Sequence, residues 1–89
     1  MSFEEMGPRA EQVVVDRTFP GDTRIDEFNK TYHVNLDSHG VETLEELVTK
    51  LLGHTPALGE VVRIEQFELT IEEASLLGGA KAIAIRTIY

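Results

Sequence analysis

The chain has 89 residues, 42% of them apolar and 7% aromatic, no cysteine, and a formal charge of −8 from sixteen acidic and eight basic residues. That length supports one small domain, burying about 60–65% of its unfolded surface, and the apolar share is too high for a disordered chain. The counts exclude a disulfide framework, a thiolate metal site and a thiol nucleophile, and the single, scattered basic residues from Arg9 to Arg86 argue against nucleic acid as a partner.

Residues 1–11, "MSFEEMGPRAE", mix charge with Gly7 and Pro8 and read as a linker or chain end; residues 12–89 are expected to form the domain. "QVVVD" is short and β-branched, which predicts a strand from Val13 to Asp16. "FPGDT" then reads as a turn through Pro20 and Gly21. Ile25, Phe28 and Tyr32 recur at helical spacing, predicting a first helix capped by Asp22 or Thr23, with Asp26 and Glu27 near its positive end. In the connection "VNLDSHGVE", Val34 and Leu36 are expected to turn inward.

The second helix is better marked. Thr43 and Glu46 have the spacing of a capping box, Leu44, Leu47, Val48, Leu51 and Leu52 form an apolar stripe, and Gly53 suits the left-handed residue after the last turn. Within "LLGHTPALGEVV", Pro56 bars continuation of the helix and Gly59 bends the chain into a strand, "EVVRI". "EQFELTIEEA" alternates Phe67, Leu69 and Ile71 with Glu68, Thr70 and Glu72, as a strand with one buried face does. "SLLGGAK" reads as a turn centred on Gly78-Gly79, and "AIAIRTI" as a central strand covered on both faces. The fold class is therefore α+β: a small mixed or antiparallel sheet with two short helices packed on it.

The candidate chemistry is sparse. His33, His39 and His54 lack a second ligand at zinc spacing and read as surface or loop residues. Ser2, Ser38 and Ser75 have no nucleophile-elbow context. Asp22 with Asp26, and Glu42 with Glu46, can share helical faces and hold magnesium weakly, but a solvated acidic face and capping charge account for them better. Gly78-Gly79 lacks the Lys-Ser/Thr of a phosphate loop, and Gly53 and Gly59 lack a third glycine. No catalytic or metal-binding residue is assigned, any cofactor-binding residue stays unknown, and no enzyme activity is expected. No apolar run approaches the roughly 18–20 residues that span a bilayer, and no signal-peptide pattern opens the chain, so the fragment is expected to be soluble, without direct membrane insertion.

The landmarks "GDTRIDEFN", "ETLEELVTKLLGHTPALGEVV", an F-x-L strand and a terminal "AIAIRTI" occur in the order found in the transporter-associated, or CorC/HlyC, domain, which this chain resembles from about Val13 to Ile88. Glu45-Glu46 stands where that family often has small residues, and the "LTIEEASLLGGAKA" hairpin is longer than the common version. The resemblance implies a fold similar to part of the FAD-binding domains of certain oxidases. It also implies a place behind a CBS-domain pair and a membrane segment, in the cytoplasmic part of a bacterial magnesium and cobalt efflux or hemolysin-like protein. The chain is then expected to be an excised regulatory or assembly domain, docking on the CBS pair or on its own copy as a homodimer, without a cofactor. The alternative is a sensor binding an adenine nucleotide or flavin (FAD).

Overall fold

The computed structural model describes residues 15–88. In chain order these form β1 (Asp16–Pro20), α1 (Ile25–Tyr32), α2 (Leu44–Leu52), β2 (Val61–Ile64), β3 (Phe67–Ala74) and β4 (Ala80–Thr87). The four strands make one sheet in the order β1-β4-β3-β2, antiparallel at every pairing. This is the expected α+β arrangement, with the mixed alternative eliminated. The expected linker, residues 1–11, lies outside the described residues.

The first strand differs from its expected bounds. Val13 and Val14 lie outside the described residues, Val15 is buried, and the ladder begins at Asp16, where the strand was expected to end. Phe19 and Pro20, read as a turn from sequence, are the last rungs of β1, opposite Ile83 and Ala82. Proline is tolerated there because β1 is an edge strand and Pro20 is its final residue. Phe19 is held by ring contacts: its centroid is 5.4 Å from Phe28 and 5.9 Å from Tyr32, both edge-on, and Phe28 meets Phe67 at 5.9 Å. In a chain with six Phe and Tyr residues, this cluster of four carries much of the packing between α1 and the sheet.

Helix α1 buries Ile25 and Phe28 as its spacing predicts. Its N-cap, however, is Arg24, which makes no side-chain cap bond, and neither Asp22 nor Thr23 serves. The Glu27 N–H is taken by the Asp26 carboxylate at 2.8 Å, and the first N–H of the helix by backbone. Ile25 N–H donates to the Glu42 carbonyl at 2.8 Å, and Leu44 N–H donates to the Thr23 carbonyl at 2.9 Å, so the segments leading into the two helices pair as a short antiparallel bridge. Asn29 clamps the following connection, donating to the Leu36 carbonyl and accepting from the Leu36 N–H, which buries Leu36; Val34 packs half-buried beside it.

Helix α2 has the capping box its sequence announces. Thr43 Oγ1 accepts from Glu46 N–H at 3.2 Å, and Glu46 Oε1 accepts from the N–H groups of Thr43 (3.1 Å) and Glu42 (3.0 Å). Leu44, Leu47 and Val48 are buried and Leu52 packs against the core, but Leu51, expected in the same stripe, is exposed. Leu51 lies in the last turn, before the Gly53 cap, where Leu52 rather than Leu51 reaches the core. Gly53 ends it at φ 78°, as expected.

Strand β4 is central and its Ile83 and Ile85 are fully buried, but it is not covered on both faces as expected. Ala82 and Ala84 are half-buried, and the helical core residues sit with Ile83 and Ile85. The open face instead carries a row of alternating charge, Asp16, Arg86, Glu68 and Arg63, in register across all four strands. Between β2 and β3 the chain reverses through Glu65 and Gln66, with Glu65 at φ 57°. The sequence reading placed both residues in the strand. Beside β1, Val15 and Thr87 exchange bonds: Val15 N–H donates to Thr87 Oγ1 and Thr87 N–H to the Val15 carbonyl, both at 2.9 Å.

Gly21 lies where β1 ends, with its N–H on the Lys81 carbonyl and its carbonyl taking the Glu45 N–H. A Cβ at this position would fall on the Ala80 carbonyl oxygen. Gly21→Ala should therefore destabilise the domain by about 1–3 kcal/mol, or more where the backbone cannot move, read as a drop in melting temperature. Ile85→Asp should leave the chain largely unfolded at about 25 °C by circular dichroism, because it places an unpaired carboxylate at a fully buried position.

Thr43→Ala should cost about 1 kcal/mol, a fall of roughly 4–8 °C at this size. The two backbone N–H groups, Glu42 first and Thr43 second, hold the Glu46 carboxyl below its ordinary value of 4.5. Its contribution is thus complete above that value and is lost as pH falls through the lowered folded value. Glu46→Gln keeps an acceptor oxygen for the cap and should flatten the acid limb of the stability curve; an unchanged limb would remove Glu46 from that role.

Candidate functional site

A concavity lies at the end of the sheet where β1 stops, α2 starts and the β3–β4 hairpin turns. It has a volume of about 740 Å³, with an apolar wall from Pro20, Ala74 and Ala80 and a rim that includes Asp22, Glu45 and Lys81. Such volume falls in the roughly 300–1,000 Å³ range of small-molecule sites. Size alone does not make it one, so the chemistry of its walls decides.

The backbone donors around it are already engaged. At the start of α2, Leu44 N–H goes to Thr23, Glu45 N–H to Gly21 and Glu46 N–H to Thr43 Oγ1. A helix N-terminus attracts phosphate through free N–H groups, and these three have protein partners. Across the cleft, Gly21 N–H donates to Lys81 and Ser75 N–H to Gly79. Gly79 is wrapped by the Glu45 side chain, whose carboxylate lies where a Cβ on Gly79 would stand. The turn at Gly78-Gly79 is the expected hairpin turn.

The paired carboxylates of the sequence do not assemble. Asp22 lies in the turn before α1 and lines the cleft, whereas Asp26 is in the helix, so the two do not share a helical face. Arg24 binds Asp26 at 3.3 Å and Glu42 at 3.4 Å, and Glu46 is taken up by the cap. Among the described residues no group of three or more His, Asp and Glu is placed to hold a metal ion.

All three histidines are exposed and in non-helical positions, as expected. His33 is the left-handed C-cap of α1, and His39 lies in the connection with its carbonyl bound by Lys50 Nζ at 2.7 Å. His54 Nε2 is 2.7 Å from Glu60 Oε2, while Glu60 Oε1 accepts from Ala57 N–H; the His54 bond first and the Ala57 bond second hold the Glu60 carboxyl below its usual range. With Pro56 buried and Gly59 N–H on the Ile71 carbonyl, "LLGHTPALGEVV" is pinned as a joint between α2 and the sheet.

The sequence reading missed Leu76 and Leu77. It placed them in a turn, but they stand at the hairpin tip beside the cleft with relative exposures of 104% and 98%. Two adjacent leucines next to Gly-Gly were the available signal, since a tight turn offers them no inward position. Thr55, in the joint that also carries the exposed Leu58, lies against Gly78 of the same turn.

Comparison with known proteins places this geometry in a family. The model of the transporter associated domain, CorC_HlyC, matches residues 16–76. A magnesium and cobalt efflux protein CorC from Buchnera aphidicola subsp. Baizongia pistaciae is 40% identical over 53 residues, covering 60% of this chain and 19% of that protein. A protein of the same name from B. aphidicola subsp. Acyrthosiphon pisum is 38% identical over 52 residues, covering 58% and 18%. The chain thus spans under a fifth of the length of these relatives. Among solved structures, a putative Mg2+ and Co2+ transporter (CorC) associated region from Neisseria meningitidis superposes with a TM-score of 0.72 at 22% identity, over 86% of this chain and all of that one. A transporter associated domain from a CBS domain protein of Porphyromonas gingivalis gives 0.71 at 17% identity, over 81% and 87%. With the family model covering both helices and most of the sheet, and these folds superposing on it, the chain belongs to the CorC_HlyC transporter associated domain family.

Proposed function

We propose that this domain is a non-catalytic regulatory or assembly module of a bacterial CBS-domain efflux or hemolysin-like protein, modulating magnesium or cobalt transport from the cytoplasmic side. The observation that carries this reading is the contrast between engaged polar groups and free apolar ones. Around the cleft the N–H groups at the start of α2 have protein partners, while Leu76 and Leu77 stand exposed at the hairpin tip that borders it. Exposed apolar groups gathered in this way fit docking better than catalysis. The CBS pair and membrane segment of a parent protein, or a second copy of the chain, are the partners this reading implies. Among the described residues no helix is long and apolar enough to cross a membrane, so membrane attachment in this reading comes from the parent.

A second reading, a sensor of an adenine nucleotide or flavin, draws on the cleft's volume of about 740 Å³. Its acidic rim and occupied helix N-terminus oppose a polyphosphate. Calorimetry with Mg2+, Co2+, ATP and FAD should find nothing tighter than about millimolar, and the purified domain should be colourless. A micromolar magnesium site abolished by Asp22→Asn or Glu45→Gln would convert the module into a direct ion sensor, and a yellow protein would restore the flavin reading. Deleting the equivalent domain from a CorC relative should leave cobalt efflux measurable with an altered dependence on ion concentration. Complete loss of transport by a folded deletion protein would put the domain in the transport path instead.

A further inference from the structure

Among the described residues the half-buried carboxylates are those of Glu45, Glu60 and Glu68. Glu60 bonds His54 and the Ala57 N–H, and Glu68 accepts from Arg63 at 3.2 Å. The Glu45 carboxylate has neither a cation nor a hydrogen-bond donor among the described residues. Its place in the first turn of α2 suits the helix dipole. The helix N–H groups there are taken, however, and the side chain reaches instead over Gly79 in the wall of the cleft. Asp22 on the same rim is equally unengaged, and Lys81, exposed on that rim, pairs with neither acid. A partly desolvated carboxylate without a donor is unfavourable, and a positive group entering the cleft would relieve it.

We infer that the cleft receives a lysine or arginine side chain from a basic, partly apolar segment of a partner protein. The cationic head meets Glu45 and Asp22, its alkyl stem lies along Pro20 and Ala80, and apolar neighbours in the segment cover Leu76 and Leu77. The formal charge of −8 draws such a segment towards the domain and repels a second copy or an anionic lipid surface. A bare metal ion is served less well, because no group of three or more acids and histidines converges among the described residues. The inference rests on the docking reading above and supplies the chemistry of the partner.

NMR titration of the purified chain with acetyl-Leu-Arg-Leu-amide should shift the N–H signals of Leu77, Gly78 and Gly79. The Kd should be on the order of 1 mM and should weaken between about 0.05 and 0.5 M salt. Acetyl-Leu-Glu-Leu-amide should leave those signals in place. Glu45→Gln keeps the length of the side chain over Gly79 and should weaken the arginine peptide about five- to tenfold, with the fold intact by circular dichroism. Glu27→Gln removes the same charge from α1, away from the cleft, and should leave the affinity unchanged. Lys81→Met removes a competing cation and should tighten binding. Equal binding of the two peptides, or an arginine peptide indifferent to Glu45→Gln, overturns the inference. Free arginine amide binding as tightly as the tripeptide also overturns it, in favour of a small cation. Absence of any shift overturns it too, and leaves the docking reading to the deletion experiment above.

Discussion

Gly21 is held between two backbones, its N–H on the Lys81 carbonyl and its carbonyl under the Glu45 N–H, with no room for a side chain against Ala80. These contacts join the end of the first strand, the beginning of the last and the first turn of the second helix. Two residues further on, Thr23 takes the Leu44 N–H, and the bridge between Arg24 and Thr43 follows from that. The starts of both helices are thus set by main-chain bonds to one short segment, and their apolar faces fall on the sheet at a defined angle. A domain this small has little core with which to correct a misplaced helix. Fixing the helix starts by directional bonds leaves the hydrophobic contacts to fill a space already outlined.

Sequence features revealed local rules and concealed non-local ones. The capping box at Thr43 and Glu46, the glycine after α2 and the alternation of β3 are set by residues within a few positions of each other, and all were legible. The cap of α1 was not, because its N–H partner is the carbonyl of Glu42, seventeen residues away, and carbonyls leave no trace in residue identity. Phe19 and Pro20 looked like a turn because proline and glycine adjoin there, yet the aromatic cluster and the edge position keep them in the ladder. Glu65-Gln66 hid in the opposite way. It reverses the chain with no glycine or asparagine, and the Glu65 side chain, which accepts from Asp37 N–H at 3.2 Å, helps hold the conformation.

The candidate site was less legible than the fold, for a related reason. Chemistry-bearing residue types are abundant in an acidic chain, and what distinguishes a working carboxylate from a structural one is what its oxygens already bind. Glu42, Glu46 and Glu60 each have a structural partner. The exposed residues at the tip beside the cleft are leucines, which sequence patterns assign to cores by default. Only the geometry of the turn shows that Leu76 and Leu77 have no core to enter.

The bonds between Val15 and Thr87 place the two ends of the described chain side by side at one edge of the sheet. A force that draws Val15 and Thr87 apart therefore acts first on the rungs nearest to them. Tension applied across that point opens the antiparallel pair β1–β4 from its end, one rung after another, as a zipper opens. That geometry yields at low force, whereas strands pulled along their length must break many bonds at once.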